Sequence, residues 1–202
     1  MNTKDRILAT ALSMFSDRGY DPVSIRDICG AVGIKESTVY YHFKNKQDIL
    51  DSLFIRFEEH VDSLLNVLHA PDTWDNSQSP SLEWIDTYFF EQYLLNPFCN
   101  KMMRLMLIEQ LHNQEIQQKY KRWIFDEPYR IEMSVFEVLS QLGIMTAEEA
   151  EQSGKAFYAY ITMLVFRYLL NGKLTAQKKK AFIEEAHSYI ASSLGRLEVN
   201  NG

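Results

Sequence analysis

The chain has 202 residues, of which 46% are hydrophobic and 13% aromatic, and its net charge is −6. That much apolar material excludes a disordered chain and suits one domain or two small ones. The acidic balance excludes a uniformly basic nucleic-acid coat, and the absence of an 18-residue apolar run excludes a helical membrane span.

Charge is unevenly placed. Residues 1–48 hold seven Lys/Arg and six Asp/Glu, so the net acidity lies wholly beyond them. The opening stretch, MNTKDRILATALSMF, carries charges inside its apolar run and has no small-residue cleavage site. It reads as helix rather than secretory signal, and a cytoplasmic protein is expected. Cys29 and Cys99 show no metal-ligand spacing and read as free thiols, and no cofactor is expected.

Almost every segment follows the helical period, so the expectation is an all-α fold of about nine or ten helices. Asn2 caps the first helix, Leu8, Ala11, Leu12 and Phe15 form its stripe, and Gly19 closes it. Ser24 with Asp27 opens the second, whose Ile25, Ile28, Cys29 and Val32 share one face before Gly33 ends it. A short third helix follows. Asn45 with Asp48 opens a long fourth, with a stripe from Leu50 through Phe57 and Val61 to Leu68. The polar run APDTWDNSQSPS at 70–81 has loop composition. Helices are predicted near 81–95, 98–112 and 114–125, and another near 128–142 with Pro128 in its first turn. Thr146 with Glu149 caps one running to about Asn171. Thr175 starts the last, which is expected to end before Gly195.

The short turn at Gly33 between the second and third helices describes a helix-turn-helix, whose second helix lies in a DNA major groove. Ile34, Val39 and Phe43 can face the core together. Ser37 and Tyr41 then point outward, with Thr38 and Tyr40 on the flanks. Such a donor-rich face suits phosphate oxygens and base edges.

The stretch SIRDICGAVGIKESTVYYHFKNKQDIL resembles the helix-turn-helix signature of the TetR family of repressors. The resemblance covers roughly residues 5–50. It rests on the Gly33–Ile34 turn, Thr38, the run Tyr40-Tyr41-His42-Phe43, and Lys46 followed by an acidic residue and Ile-Leu. It implies a DNA-binding domain at 1–48 and a ligand-binding and dimerisation domain at 49–202. It also implies roles: Ser24, Tyr40, His42 and Lys46 at phosphates, and Arg26, Lys35, Glu36, Ser37 and Thr38 near bases. A cation in a first helical turn, such as Lys46, is unfavourable to the macrodipole unless an anion lies nearby, which agrees with a phosphate contact. Two positions depart from expectation. Lys35 stands where the family often has a capping Ser. Gly30 sits inside a helix at a cost of about 1 kcal/mol, for which close packing on the first helix is the expected reason.

The remaining three-quarters of the chain exceeds what DNA reading needs. The resemblance implies a pocket for a small-molecule effector, expected to be apolar or aromatic. The 98–112 helix is apolar nearly all round and offers Met102, Met103 and Met106. Phe89, Tyr93, Trp123, Phe125 and Tyr129 are aromatic candidates, joined by Phe157 and Phe166. His112, Tyr93 or Arg104 are candidate polar anchors. For a homodimer on a double-stranded, near-palindromic operator, the resemblance implies pairing of the last two long helices. The candidates are Ile161, Leu164 and Tyr168 on one, and Phe182, Ile183, Ala186, Tyr189 and Ile190 on the other.

Two rivals remain open at this level. Glu109-x-x-His112 and Glu184-x-x-His187, with Glu91 and Glu137, have the spacing of a di-iron carboxylate bundle. Alternatively, the chain is an interaction module of the same fold controlled by a protein partner.

Overall fold

The computed structural model describes residues 2–69 and 88–199 and contains, among them, nine α-helices and no strand. They are α1 (Thr3–Arg18), α2 (Ile25–Val32), α3 (Glu36–His42), α4 (Lys46–His69), α5 (Pro97–Glu109), α6 (Gln114–Lys121), α7 (Glu127–Gln141), α8 (Ala147–Leu164) and α9 (Ala176–Val199). Three π-helical turns accompany them: π1 (Phe90–Leu94), π2 (Arg122–Asp126) and π3 (Val165–Leu169). The 70–81 loop, the start of the 81–95 helix and the side chain of Leu68 lie outside the described residues.

The local signals act as written in the sequence. Asn2 Oδ1 accepts the Asp5 amide, Ser24 and Asp27 form a reciprocal capping box, and so do Thr146 and Glu149. Asn45 Oδ1 accepts the Asp48 amide at 2.9 Å, but the Asp48 carboxylate reaches one residue further back, to the Lys44 amide at 2.8 Å. Gly33 ends α2 with φ of 75°, the left-handed region where glycine has no Cβ penalty.

Two expectations fail here. Gly30 is exposed, and a Cβ built on it would meet nothing within 4 Å, so no packing on α1 demands glycine there. The last helix does not stop before Gly195 but continues to Val199.

The segments expected at 114–125 and 128–142 form one continuous helical run through π2. Pro128 stands in the first turn of α7, as expected, although π2 runs straight into that helix. The proline lacks an amide, and its ring would press on the carbonyl four residues earlier in regular α geometry. A widened turn immediately before it relieves both problems.

One apolar cluster runs from Ile7 through the body to Ile190. α1 packs on α5, α4 packs on both, and α7 packs along α8. Cys29 and Cys99 are free and buried, and burial pushes the Cys99 thiol up to about 12, leaving it inert. Among the described residues, no helix is long and apolar enough to cross a membrane.

Candidate functional site

The helix-turn-helix is a small platform fixed from below. Val39 and Phe43 are 0% and 2% exposed and anchor α3, while Ile34 packs at the edge of the same core. Lys35 supplies no side-chain cap to α3, as the substitution predicts. The opposite face stays open. Lys35, Glu36 and Ser37 are exposed, Thr38 and His42 are half-buried, and Tyr40 and Tyr41 are 54% and 84% exposed. The Tyr41 and His42 rings meet edge to face at 4.9 Å, which orders the end of this surface.

Two expected base-reading residues are paired with each other. Arg26 Nε lies 3.3 Å from Glu36 Oε1, with the Arg26 side chain 87% exposed. An ion pair so open to water holds little energy, so the guanidinium fork is easily released. Ser24 is exposed, but its hydroxyl is committed to the capping box, donating to Asp27 at 2.6 Å.

Lys46 has a different partner from the one expected. Its ammonium donates to the carbonyls of Tyr20, Asp21 and Val23 at 3.0, 3.3 and 3.0 Å, and it stands 4.0 Å from the Tyr20 ring centroid. In the free chain, carbonyl oxygens supply the negative charge this cation needs in the first turn of α4. The same segment is held from the other side. Glu109, at the end of α5 and 8% exposed, accepts the Tyr20 amide at 2.8 Å. Nearby, Arg104 and Lys173 both bond the Asp17 carboxylate at the end of α1, at 3.1 and 3.2 Å. The segment 17–23 is thus where the reading unit is clasped to the body, and sequence periodicity gave no sign of it.

A second site lies in the body. A cavity is lined by Phe89, Tyr93, Leu94, Met103, Trp123 and Ile124 on one side. Pro128, Glu132, Tyr158, Ile161, Thr162, Val165 and Phe166 complete it. The cavity is small, about 30 Å³. All three π turns contribute to its wall. Each has a carbonyl capped by a side chain from another segment: Gln92 by His60 Nε2, Trp123 by the Tyr93 hydroxyl, Phe125 by Tyr158, and Leu169 by Asn100. Burial pushes the Tyr93 phenol well above its ordinary value, so it stays a neutral donor. Trp123 Nε1 is buried with no acceptor among the described residues.

Of the expected pocket residues, Phe89, Tyr93, Met103, Trp123 and Phe166 meet here. The others do not line the space. Met102 and Met106 are fully buried elsewhere in the core, and Phe125 stacks behind Phe166 at 6.1 Å. Tyr129 sits edge-on to Tyr158, and Phe157 packs on Phe136 and Tyr189. His112 is exposed in the turn after α5, and Arg104 is drawn away to Asp17. Glu132 was missed, although its signal was present: it stands in the apolar stripe of Ile124, Pro128, Ile131 and Leu139 and is 4% exposed.

The dimer candidates need the largest correction. Ile161, Leu164, Phe182, Ala186 and Ile190 are 0–6% exposed within the single chain, and Ile161 lines the cavity. They hold α8 and α9 onto the body and are closed to a second copy. Tyr168, Ile183 and Tyr189 remain partly exposed, beside Met163 at 41%. The carboxylates and histidines of the di-iron spacing do not converge: among the described residues, no three His, Cys, Asp or Glu side chains group to hold a metal.

The family model described as "Bacterial regulatory proteins, tetR family" matches residues 7–53. The biofilm operon icaADBC HTH-type negative transcriptional regulator IcaR of Staphylococcus epidermidis is 44% identical over 46 residues, 23% of this chain and 25% of that protein. The HTH-type transcriptional repressor KstR2 of Mycolicibacterium smegmatis is 36% identical over 73 residues, 32% of this chain and 36% of its own length. These alignments therefore span about a quarter to a third of the curated relatives. A TetR-family transcriptional regulator from Marinobacter aquaeolei superposes with a TM-score of 0.61 at 20% identity, covering 94% of this chain and 99% of that one. A transcriptional regulator from Saccharomonospora viridis, solved in complex with choline, gives 0.58 at 22% identity, over 90% and 93%. Such identities speak to architecture alone, and the architecture is shared along nearly the whole length. Residues 7–53 thus carry the N-terminal unit of the bacterial regulatory proteins of the tetR family, and the body follows the fold of solved TetR-family regulators.

Proposed function

We propose that the chain is a transcriptional repressor that binds a near-palindromic DNA operator as a two-fold homodimer and is released by a small, largely apolar effector. The carrying observation is the open, donor-rich face of α3 standing on a buried Val39–Phe43 base. In this reading residues 1–48 are the reading head and 49–202 the effector and dimer body. Tyr40 and His42 hold phosphates. Arg26, Lys35, Glu36, Ser37 and Thr38 approach bases, with Arg26 exchanging Glu36 for the O6 and N7 of a guanine. Two heads one duplex turn apart, about 34–36 Å, require a symmetric pair. Of the candidates for that pairing, Tyr168, Ile183 and Tyr189 keep part of their surface open, alongside exposed Met163.

The cavity serves the effector. Its walls are aromatic, it carries a buried indole N–H without an acceptor among the described residues, and π turns recur at functional sites. The S. viridis regulator, with choline bound, is an instance of the fold holding a small molecule. Trp123 and Tyr93 touch Phe57 of α4 at ring distances of 5.7 and 6.2 Å. An effector that moves these rings pushes directly on the helix that carries the head. A coupling of about 1–3 kcal/mol lowers operator affinity roughly 5–150-fold.

The test is fluorescence anisotropy with DNA from upstream of the chain's own gene against scrambled duplex, across a salt series. Specific binding that weakens steeply with salt is expected. Absent or salt-insensitive binding overturns the reading and favours an interaction module controlled by a protein partner. Arg26→Ala should relax sequence preference rather than weaken all duplexes alike.

A further inference from the structure

We propose that the cleft where α1, α5 and the start of α9 meet is a second ligand site, one that takes a small phosphate-bearing molecule. Nothing in it depends on the body cavity. The cleft holds about 340 Å³, room for a phosphate and an attached organic group. Four cations line it, Lys101 and Arg104 of α5 with Lys173 and Lys179, against one acid, Asp17 of α1. In a chain of net charge −6, this local excess of three positive charges is no background effect.

The cations are placed to take an oxyanion. Asp17 already serves as one in part: one carboxylate oxygen accepts Arg104 at 3.1 Å and the other accepts Lys173 at 3.2 Å. The Arg104 side chain is only 13% exposed, so its guanidinium is fixed in the wall rather than spread in solvent. Lys179 donates to a neutral acceptor, the Leu95 carbonyl, at 2.8 Å, which leaves its charge uncompensated. Lys101 stands one turn before Arg104 on α5 and has no hydrogen-bond or ionic partner among the described residues. A monocarboxylate would cancel one of the three excess charges. A phosphate monoester or a diphosphate brings nearly two or more, with several strong acceptor oxygens. Because Asp17 belongs to the reading unit and the four cations to the body, a bound phosphate competes with the clasp for Arg104 and Lys173.

The experiment titrates inorganic pyrophosphate into the full-length chain by calorimetry at low ionic strength, with sodium chloride of equal ionic strength as the blank. Binding at millimolar concentration or below is expected. Lys101→Gln should weaken it by about fivefold or more, since a charged donor is lost. Asp17→Asn, which releases Arg104 and Lys173, should tighten it by about threefold or more. Lys180→Gln changes a lysine that is 77% exposed and lies outside the cleft, and should leave binding within about twofold. Absent heat, equal weakening by Lys101→Gln and Lys180→Gln, or no tightening in folded Asp17→Asn overturns the proposal. So does a Lys101→Gln chain that binds pyrophosphate normally but shows a flatter salt slope with DNA, which would give these cations to a duplex backbone. The Lys101 and Lys180 comparison decides the matter even if Asp17→Asn does not fold.

Discussion

Replacing Gly19 and Glu109 by Ala, singly and together, tests whether the clasp at the end of α1 is a real mechanical joint. Gly19 has φ of 85° and ψ of 171°, a region left almost entirely to glycine, so an Ala there costs about 1–3 kcal/mol from backbone strain alone. Its Cβ would also lie 2.8 Å from Glu109 Oε1. That oxygen cannot withdraw freely, because it accepts the Tyr20 amide at 2.8 Å. Pushing it aside forfeits a charged hydrogen bond, another ~1.5–3 kcal/mol. Glu109→Ala forfeits the same bond without the strain. The double variant therefore loses the bond once, and the two effects should fall short of additivity by about 1.5–3 kcal/mol. Urea denaturation at one fixed protein concentration measures this, with midpoints compared at constant slope. Additivity within about 0.5 kcal/mol would refute the shared contact.

Gly30→Ala should stabilise the chain by about 1 kcal/mol, because the site is helical, exposed and empty around a new Cβ, and thermal denaturation should show a rise of about 2–4 °C. Lys46→Met should lower stability by uncapping three carbonyls yet leave the salt slope of DNA binding unchanged; a slope flatter by about 0.9 would mean the ammonium leaves those carbonyls for a phosphate. Burial alone would raise the Asp17 carboxyl, but the bonds from Lys173 and Arg104 outweigh it and hold the group below its ordinary value. Its contribution is then complete above the ordinary carboxylate value and fades as pH falls through the lowered one, so Asp17→Asn should flatten the acid side of a stability–pH curve.

The head was legible because its signals are local. Capping pairs such as Ser24 with Asp27 and a turn glycine at Gly33 act within four residues, and each formed as read. The body was legible only in outline. Periodicity shows that α8 has apolar residues on more than one face, but not which neighbour each face meets. Ile161 and Leu164 were therefore assigned to a partner when the chain itself covers them. The π turns escaped for a related reason: one extra residue in a turn shifts an apolar stripe too little to break its pattern. Lys46 and Glu109 were unreadable as a pair, since they meet the 20–23 segment from positions 26 and 89 residues away from Tyr20.

The widened turn at 122–126 joins two helices that would otherwise wind evenly into one another. Deleting a single residue there would bring the flanks about 1.5 Å closer and rotate one against the other by about 100°. Trp123 would swing out of the cavity wall while every contact surface of α3 stayed as it is. Gaining or losing one amino acid there would thus reshape the cavity, a kind of divergence that leaves α3 untouched.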